Sequence, residues 1–262
     1  MIEIKVFYLV DNNEDDIIHK TAILLILGKV ITVSQLKKEI AEILASENGI
    51  YLFSMESIKI EQISIIRGEM LDELKIDQSY SLQLRNTQTQ LIPIKKLNTS
   101  NQTTLQHLTI SGFNLMDSEI QISCEILDIE GRLKLFPNFQ GSKISVLIFR
   151  PNPKIHFTIG GDCSALNIKS SVIDKLRLQE LCVGAPAEII GRIFKSYKRS
   201  DNQELLILED GSVIGSLDIH EVELHGPNTT IGIHADASSK ILSIEIADNT
   251  KIKNRFVATE KS

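Results

Sequence analysis

One segment of this 262-residue chain has the apolar spacing of an α-helix, while most other apolar residues fall in short alternating runs. The helix begins after Thr32, the expected N-cap, and Gln35 supplies the second half of a capping box. Asn48-Gly49 ends it, because both residues tolerate the left-handed conformation. Its apolar face is formed by Val33, Leu36, Ile40 and Ile43 or Leu44. These signals together predict an α-helix that begins after Thr32 and ends at Asn48-Gly49.

Around this helix the sequence predicts four β-segments. Residues Ile2 to Leu9 alternate between apolar and polar, and Thr21 to Val33 is rich in aliphatic residues, so the two runs predict a long hairpin. After the helix, Ile63 to Ile66 and Leu82 to Arg85 have strand character. Buried anchors in a short irregular segment are predicted between these two strands, at Leu71, Leu74 and Ile76. The predicted order is β, β, α, β, β.

This order and several residues resemble a ubiquitin-like domain. The run Thr32 to Ile40 looks like the family's helix, and Ile65 to Gly68 with Leu82 to Arg85 resembles its later strands. The resemblance implies an α+β (β-grasp) domain over residues 1–86 that docks a protein partner. Arg85 is followed by Asn86 rather than by Gly-Gly, so conjugation is not expected. By the resemblance, the partner-binding residues are Ser64, Ile66, Gln83 and Arg85.

Beyond residue 86 the amino-acid pattern divides the chain into three segments. Residues 87–104 are rich in Asn, Gln and Thr and predict a polar linker. Residues 105–250 predict an all-β domain, and 251–262 a charged tail. Because strand starts recur about every twenty residues, a β-solenoid is preferred, with an antiparallel β-sandwich as the alternative. The run Asp210 to Ile219 resembles the coils of bactofilins, which polymerise through solenoid ends, so the resemblance implies a rigid or self-associating platform and a possible homo-oligomer.

Charge and cysteine content exclude several function classes. The net charge of -6 argues against binding to nucleic acid or to an anionic membrane, because both reward a basic surface. The first 85 residues carry 9 basic against 14 acidic side chains, so the acidity is concentrated there. Three unclustered cysteines and the lack of an apolar leader predict a cytoplasmic protein. No cofactor is predicted.

A catalytic or metal site is only weakly indicated. Cys163 follows a Gly-Gly turn and would need an imidazole, from His156 or His225, to act as a nucleophile. His220 and His234 are the candidate metal ligands, although ordinary surface histidines are favoured.

The leading hypothesis is a non-enzymatic interaction or scaffold protein. The alternatives are an enzyme with a cysteine or histidine site on the β-domain and a translocated effector that diverts host ubiquitin machinery.

Overall fold

The structure is a computed structural model, and it describes residues 1–11, 17–48, 54–100, 103–115, 118–131, 138–151, 166–179, 182–183, 202–220, 223–224, 230–246 and 257–260. This part contains one α-helix, α1 (Val33–Asn48), and a 3-10 turn at Met55–Ser57. Its strands are β1 (Ile2–Asp11), β2 (Ile17–Ile26), β3 (Val30–Thr32), β4 (Ile58–Arg67), β5 (Leu71–Ile76), β6 (Leu82–Asn86), β7 (Ile92–Thr99), β8 (Leu105–Ser111), β9 (Phe113–Asn114), β10 (Glu119–Gln121), β11 (Ser123–Gly131), β12 (Asn138–Gln140), β13 (Lys143–Pro151), β14 (Leu166–Lys169), β15 (Val172–Gln179), β16 (Cys182–Val183), β17 (Asn202–Glu209), β18 (Val213–His220), β19 (Glu223–Leu224), β20 (Thr230–Ala235), β21 (Lys240–Ile246) and β22 (Val257–Glu260).

The strands form two large sheets between which the chain alternates. Sheet 1 has the order β2-β1-β4-β6-β8-β11-β13-β15-β18-β21, and sheet 2 the order β22-β20-β17-β14-β12-β10-β7-β5-β3. From β4 onward every pairing within these orders is parallel, so each passage through both sheets is one coil of a β-solenoid. The hairpin β1–β2 extends sheet 1 with antiparallel pairings. Parallel registers exclude the antiparallel sandwich.

The expectation of an α+β ubiquitin-like domain at the N-terminus is wrong. Strand β6, expected to close that domain, lies between β4 and β8 and pairs with both in parallel. Residues 71–76, expected to be irregular, form β5 in sheet 2, where it pairs with β3 and β7. The same apolar pattern serves both folds, because the choice depends on which strands become neighbours, and β8 lies beyond residue 86.

The stretch predicted as a polar linker contains a strand of the solenoid. Strand β7 lies in sheet 2 between β5 and β10. Its apolar residues Ile92, Ile94 and Leu97 are buried and belong to the same hydrophobic core as the helix and β1. The polar residues between them face outward, and they give this stretch the amino-acid composition of a linker.

The predicted helix and its cap are confirmed. The Gln35 backbone N–H donates to the Thr32 hydroxyl at 3.2 Å, and the Ser34 N–H donates to the Asp77 carboxylate at 2.9 Å. The Gln35 side chain donates to Glu39 rather than back to residue 32, so only half of the capping box forms. The buried face consists of Val33, Leu36, Ile40 and Leu44. This face covers the N-terminal end of the solenoid core.

A ladder of buried serines holds one corner of the solenoid together. The backbone N–H groups of Ser142, Ser171 and Ser212 each donate to the hydroxyl of the equivalent serine one coil further on, the last to Ser239, at 3.0, 3.3 and 3.0 Å. We call these four residues the serine ladder. They lie at the tight corners where sheet 2 passes to sheet 1, and the first three are at most 1% exposed. Each ladder hydroxyl replaces water as the partner of a buried backbone group.

Candidate functional site

A row of aliphatic side chains runs along sheet 1 from β6 to β21. Register places Leu82, Leu108, Leu127, Leu147, Leu176, Leu217 and Ile244 side by side on successive strands. The six leucines are at most 1% exposed, whereas Ile244 is 43% exposed. Because all seven share one inward-facing row, Ile244 is a core residue that no coil covers within the described part of the chain. We call the surface formed by Ile244 and Ile241, which continues the separate inward-facing row of Ile214 on the same strand β21, the open end.

The two ends of the solenoid therefore differ. At the N-terminal end, α1 packs its apolar face against the first coils and buries it fully. At the other end, β21 is the last strand of sheet 1 in the described part of the chain. Leu242, on the same strand, is 64% exposed. Terminal coils of solenoids need a polar or covered end, and the open end has neither among the described residues.

A second apolar surface lies on β2, the opposite edge strand of sheet 1. Ile23 and Leu25 are 61% and 60% exposed, and Leu27, just after the strand, is 87% exposed. The pairing of β2 with β1 continues over ten residues without a register shift. Natural edge strands usually carry a bulge, a proline or a charge. Strand β2 carries Lys20 in its first half, whereas its second half, Thr21 to Ile26, has none of these and is open to further pairing.

The structure brings together the four residues predicted to bind a partner. Ser64 pairs with Arg85 across β4 and β6, and Gln83 lies two positions before Arg85 on the same face. Gln83, Arg85 and Ile66 are exposed, whereas Ser64 is buried and accepts a hydrogen bond from the Gln62 amide at 2.6 Å. Partner binding here stays a prediction, and its original basis, a ubiquitin-like closing strand, is absent.

A buried carboxylate on sheet 1 is held by two cations. The Asp218 side chain is 3% exposed and lies 2.7 Å from Lys175 Nζ and 3.6 Å from Arg177 Nη2. The Ser216 hydroxyl donates to it at 2.9 Å. Burial opposes its charge most strongly, but the bonds from Lys175 and Ser216 and the two positive charges outweigh burial and lower the pKa of Asp218. The cluster ties β15 to β18.

The candidate catalytic residues Cys163, His156 and His225 lie outside the described residues. Of the two candidate metal ligands, His220 is in β18 of sheet 1 and His234 in β20 of sheet 2. Their side chains lie outside the described part, so both roles stay predictions. Within the described residues no three His, Cys, Asp or Glu side chains could share a metal ion.

Cys124 is the cysteine whose surroundings the structure defines. It occupies an inward-facing row of sheet 1 between Leu105 and Ile144. Burial raises the pKa of its thiol to about 11. A thiol with so high a pKa is mostly protonated at neutral pH, so Cys124 serves as a small apolar core residue.

Comparison with known proteins gives no relative on which to base a function. No protein-family model, no curated protein and no solved structure matches the chain. Among the residues that the structure describes, no helix has the length and apolar character needed to cross a bilayer.

Proposed function

We propose that this protein is a structural scaffold, a β-solenoid that self-associates tail to tail through its open end. The observation that supports the proposal is the 43% exposure of Ile244 in a row whose other six members are buried. A coil that covered this row would remove its remaining apolar surface from water, at about 25 cal/mol per Å².

A second copy of the chain is the occupant that fits this surface. It presents the same aliphatic row and the same unpaired strand edge, so a two-fold axis would place apolar residues against apolar residues. Strand β21 has 7 residues, about 23 Å, and two sheets with their side chains are about 20 Å across. The end face is then about 500 Å² per copy, or roughly 1,000 Å² in total, which reaches the lower bound for a specific interface.

The closed N-terminal end favours a dimer over a head-to-tail filament. Helix α1 already covers the core there, with Val33, Leu36, Ile40 and Leu44 buried. In a head-to-tail contact, β21 of one copy could pair with the exposed β2 edge of the next, but the core row that ends at Ile244 would then face the polar outer side of α1 rather than another uncovered core. A tail-to-tail contact pairs the two uncovered cores instead, and a two-fold contact closes on itself.

Sedimentation velocity of matched lysine variants tests the proposal. Ile244→Lys places a charge in the open end, so we expect it to convert a concentration-dependent dimer into a monomer with unchanged circular dichroism. Val172→Lys is the control, because Val172 is 45% exposed but lies on β15, an interior strand of sheet 1. A wild-type chain that stays monomeric at high concentration would contradict the proposal, as would equal effects of the two variants.

A further inference from the structure

A cavity of about 460 Å³ lies at the corner where the first coils pass from sheet 1 to sheet 2. It is lined by three consecutive turns, which follow β2, β4 and β6, and by the start of β1. Its size is that of a site for a small organic molecule. The side chains that bear on its chemistry are Lys29, Arg67, Glu69, Met70, Gln88 and Leu91.

The walls of this cavity are fixed by hydrogen bonds between successive turns. The Gln88 side-chain amide donates to the Gly68 carbonyl at 3.2 Å, which joins the second turn to the third. The buried amide of Asn86 donates to the carbonyls of Gln90 and Gly112, at 2.7 and 2.8 Å. These bonds hold the turns before any ligand arrives, so binding there does not require the turns to become ordered.

The charges around the cavity favour an anion. Within the described part of the chain, neither the Arg67 guanidinium nor the Lys29 ammonium forms an ion pair within 4 Å. The nearby Asp72 is bound by Lys95 at 2.8 Å, and the more distant charge of Lys29 also helps to lower the pKa of Asp72. Among the described side chains that line the cavity, Lys29 and Arg67 are basic and Glu69 is acidic, so these side chains contribute a net charge of about +1 in an otherwise acidic third of the chain.

We infer that this cavity binds a small organic acid as its monoanion. Arg67 and Lys29 receive the carboxylate, for which the planar guanidinium fork is well suited. Met70 and Leu91 contact the apolar part of the molecule. Glu69 disfavours a second negative charge, so a carboxylate is preferred over a phosphate dianion. This site uses none of the residues of the open end, so its success or failure is independent of self-association.

Isothermal titration calorimetry with three phenyl compounds tests the inference on the full chain. We expect benzoate to bind, benzyl alcohol to bind at least about tenfold more weakly, and phenyl phosphate to bind more weakly than benzoate. Equal affinity for benzoate and benzyl alcohol would overturn the role of the two cations. Tighter binding of phenyl phosphate would overturn the assignment to a monoanion.

Variants then locate the site. Arg67→Gln and Lys29→Gln are each expected to weaken benzoate binding about tenfold or more, whereas Lys143→Gln, an exposed lysine of β13, leaves it unchanged. Gln90→Trp fills the cavity without altering its charge and is expected to abolish binding. The location of the site then does not depend on the two charge variants alone. Benzoate affinity unchanged in Arg67→Gln and in Gln90→Trp would overturn the site.

Discussion

Ser171→Ala removes one rung of the serine ladder and tests whether that ladder holds the coils together. The Ser171 hydroxyl accepts the Ser142 N–H at 3.0 Å and donates to the Lys169 carbonyl at 2.9 Å. After the change, the Lys169 carbonyl still accepts the Gly141 N–H at 3.0 Å. The Ser142 N–H, in a residue 1% exposed, loses the hydroxyl acceptor that the structure gives it.

The backbone N–H of Ser142, left without its acceptor, sets the size of the effect. A buried donor left without a partner costs about 1 to 3 kcal/mol, so Ser171→Ala should lower the free energy of unfolding by about 2 kcal/mol. Ser145→Ala is the matched control, because Ser145 is an exposed serine of the neighbouring strand β13. Removing the Ser145 hydroxyl leaves no buried group without a partner, and we expect the free energy of unfolding to change by less than about 0.5 kcal/mol.

Urea unfolding followed by circular dichroism measures both variants. Coils of a solenoid can also open locally, so amide exchange at Ser142 is the more direct reading. We expect that amide to exchange faster in Ser171→Ala and to be unaffected in Ser145→Ala. If the two variants have the same stability and the Ser142 amide keeps its protection, the ladder does not stabilise this corner.

Four further changes have defined outcomes. Leu176→Ala empties a fully buried position of the leucine row and should cost about 3 to 5 kcal/mol in urea unfolding. Ser170→Gly should stabilise the chain by about 1 kcal/mol in the same assay, because Ser170 has φ 48°. The pKa of Asp218 lies below its ordinary value of 3.8, so its contribution is present above that pH and is lost as the pH falls below it. Asp218→Asn should remove that part of an acid titration of stability, while weakening the neutral protein by leaving Lys175 without its carboxylate. Leu25→Lys should raise solubility in a precipitation assay without changing thermal stability, since it places a charge on an exposed edge.

Local features of this fold could be predicted from the sequence, and pairings between distant strands could not. The helix after Thr32 was predictable because its cap, its apolar face and its end lie within seventeen residues. The ubiquitin-like domain was predicted wrongly because β6 satisfies the same local pattern whether it closes a small domain or stacks beneath β8. Its neighbour is decided by residues beyond position 86, which a local pattern does not contain.

The serine ladder could have been found and was missed. Four similar tetrapeptides precede strands of sheet 1, namely Gly141-Ser142-Lys143-Ile144, Ser170-Ser171-Val172-Ile173, Gly211-Ser212-Val213-Ile214 and Ser238-Ser239-Lys240-Ile241. The exposure of Ile244, in contrast, could not be predicted from the sequence, because the residues around Ile244 are those of a core strand. Among the described residues, it is the position of β21 at the edge of sheet 1 that leaves Ile244 uncovered.

The distance between two copies tests tail-to-tail assembly most directly. A spin label at Ser243→Cys lies on β21, and one at Lys38→Cys lies on α1, each introduced with Cys163→Ser and Cys182→Ser. Sheet 1 has ten strands, so its two edges are about 43 Å apart. Double electron-electron resonance should then give about 20 Å or less between the Ser243→Cys labels and no pair distance below about 60 Å between the Lys38→Cys labels. A short distance between a Lys38→Cys label on one copy and a Ser243→Cys label on another, or no intermolecular distance at all, would contradict the account.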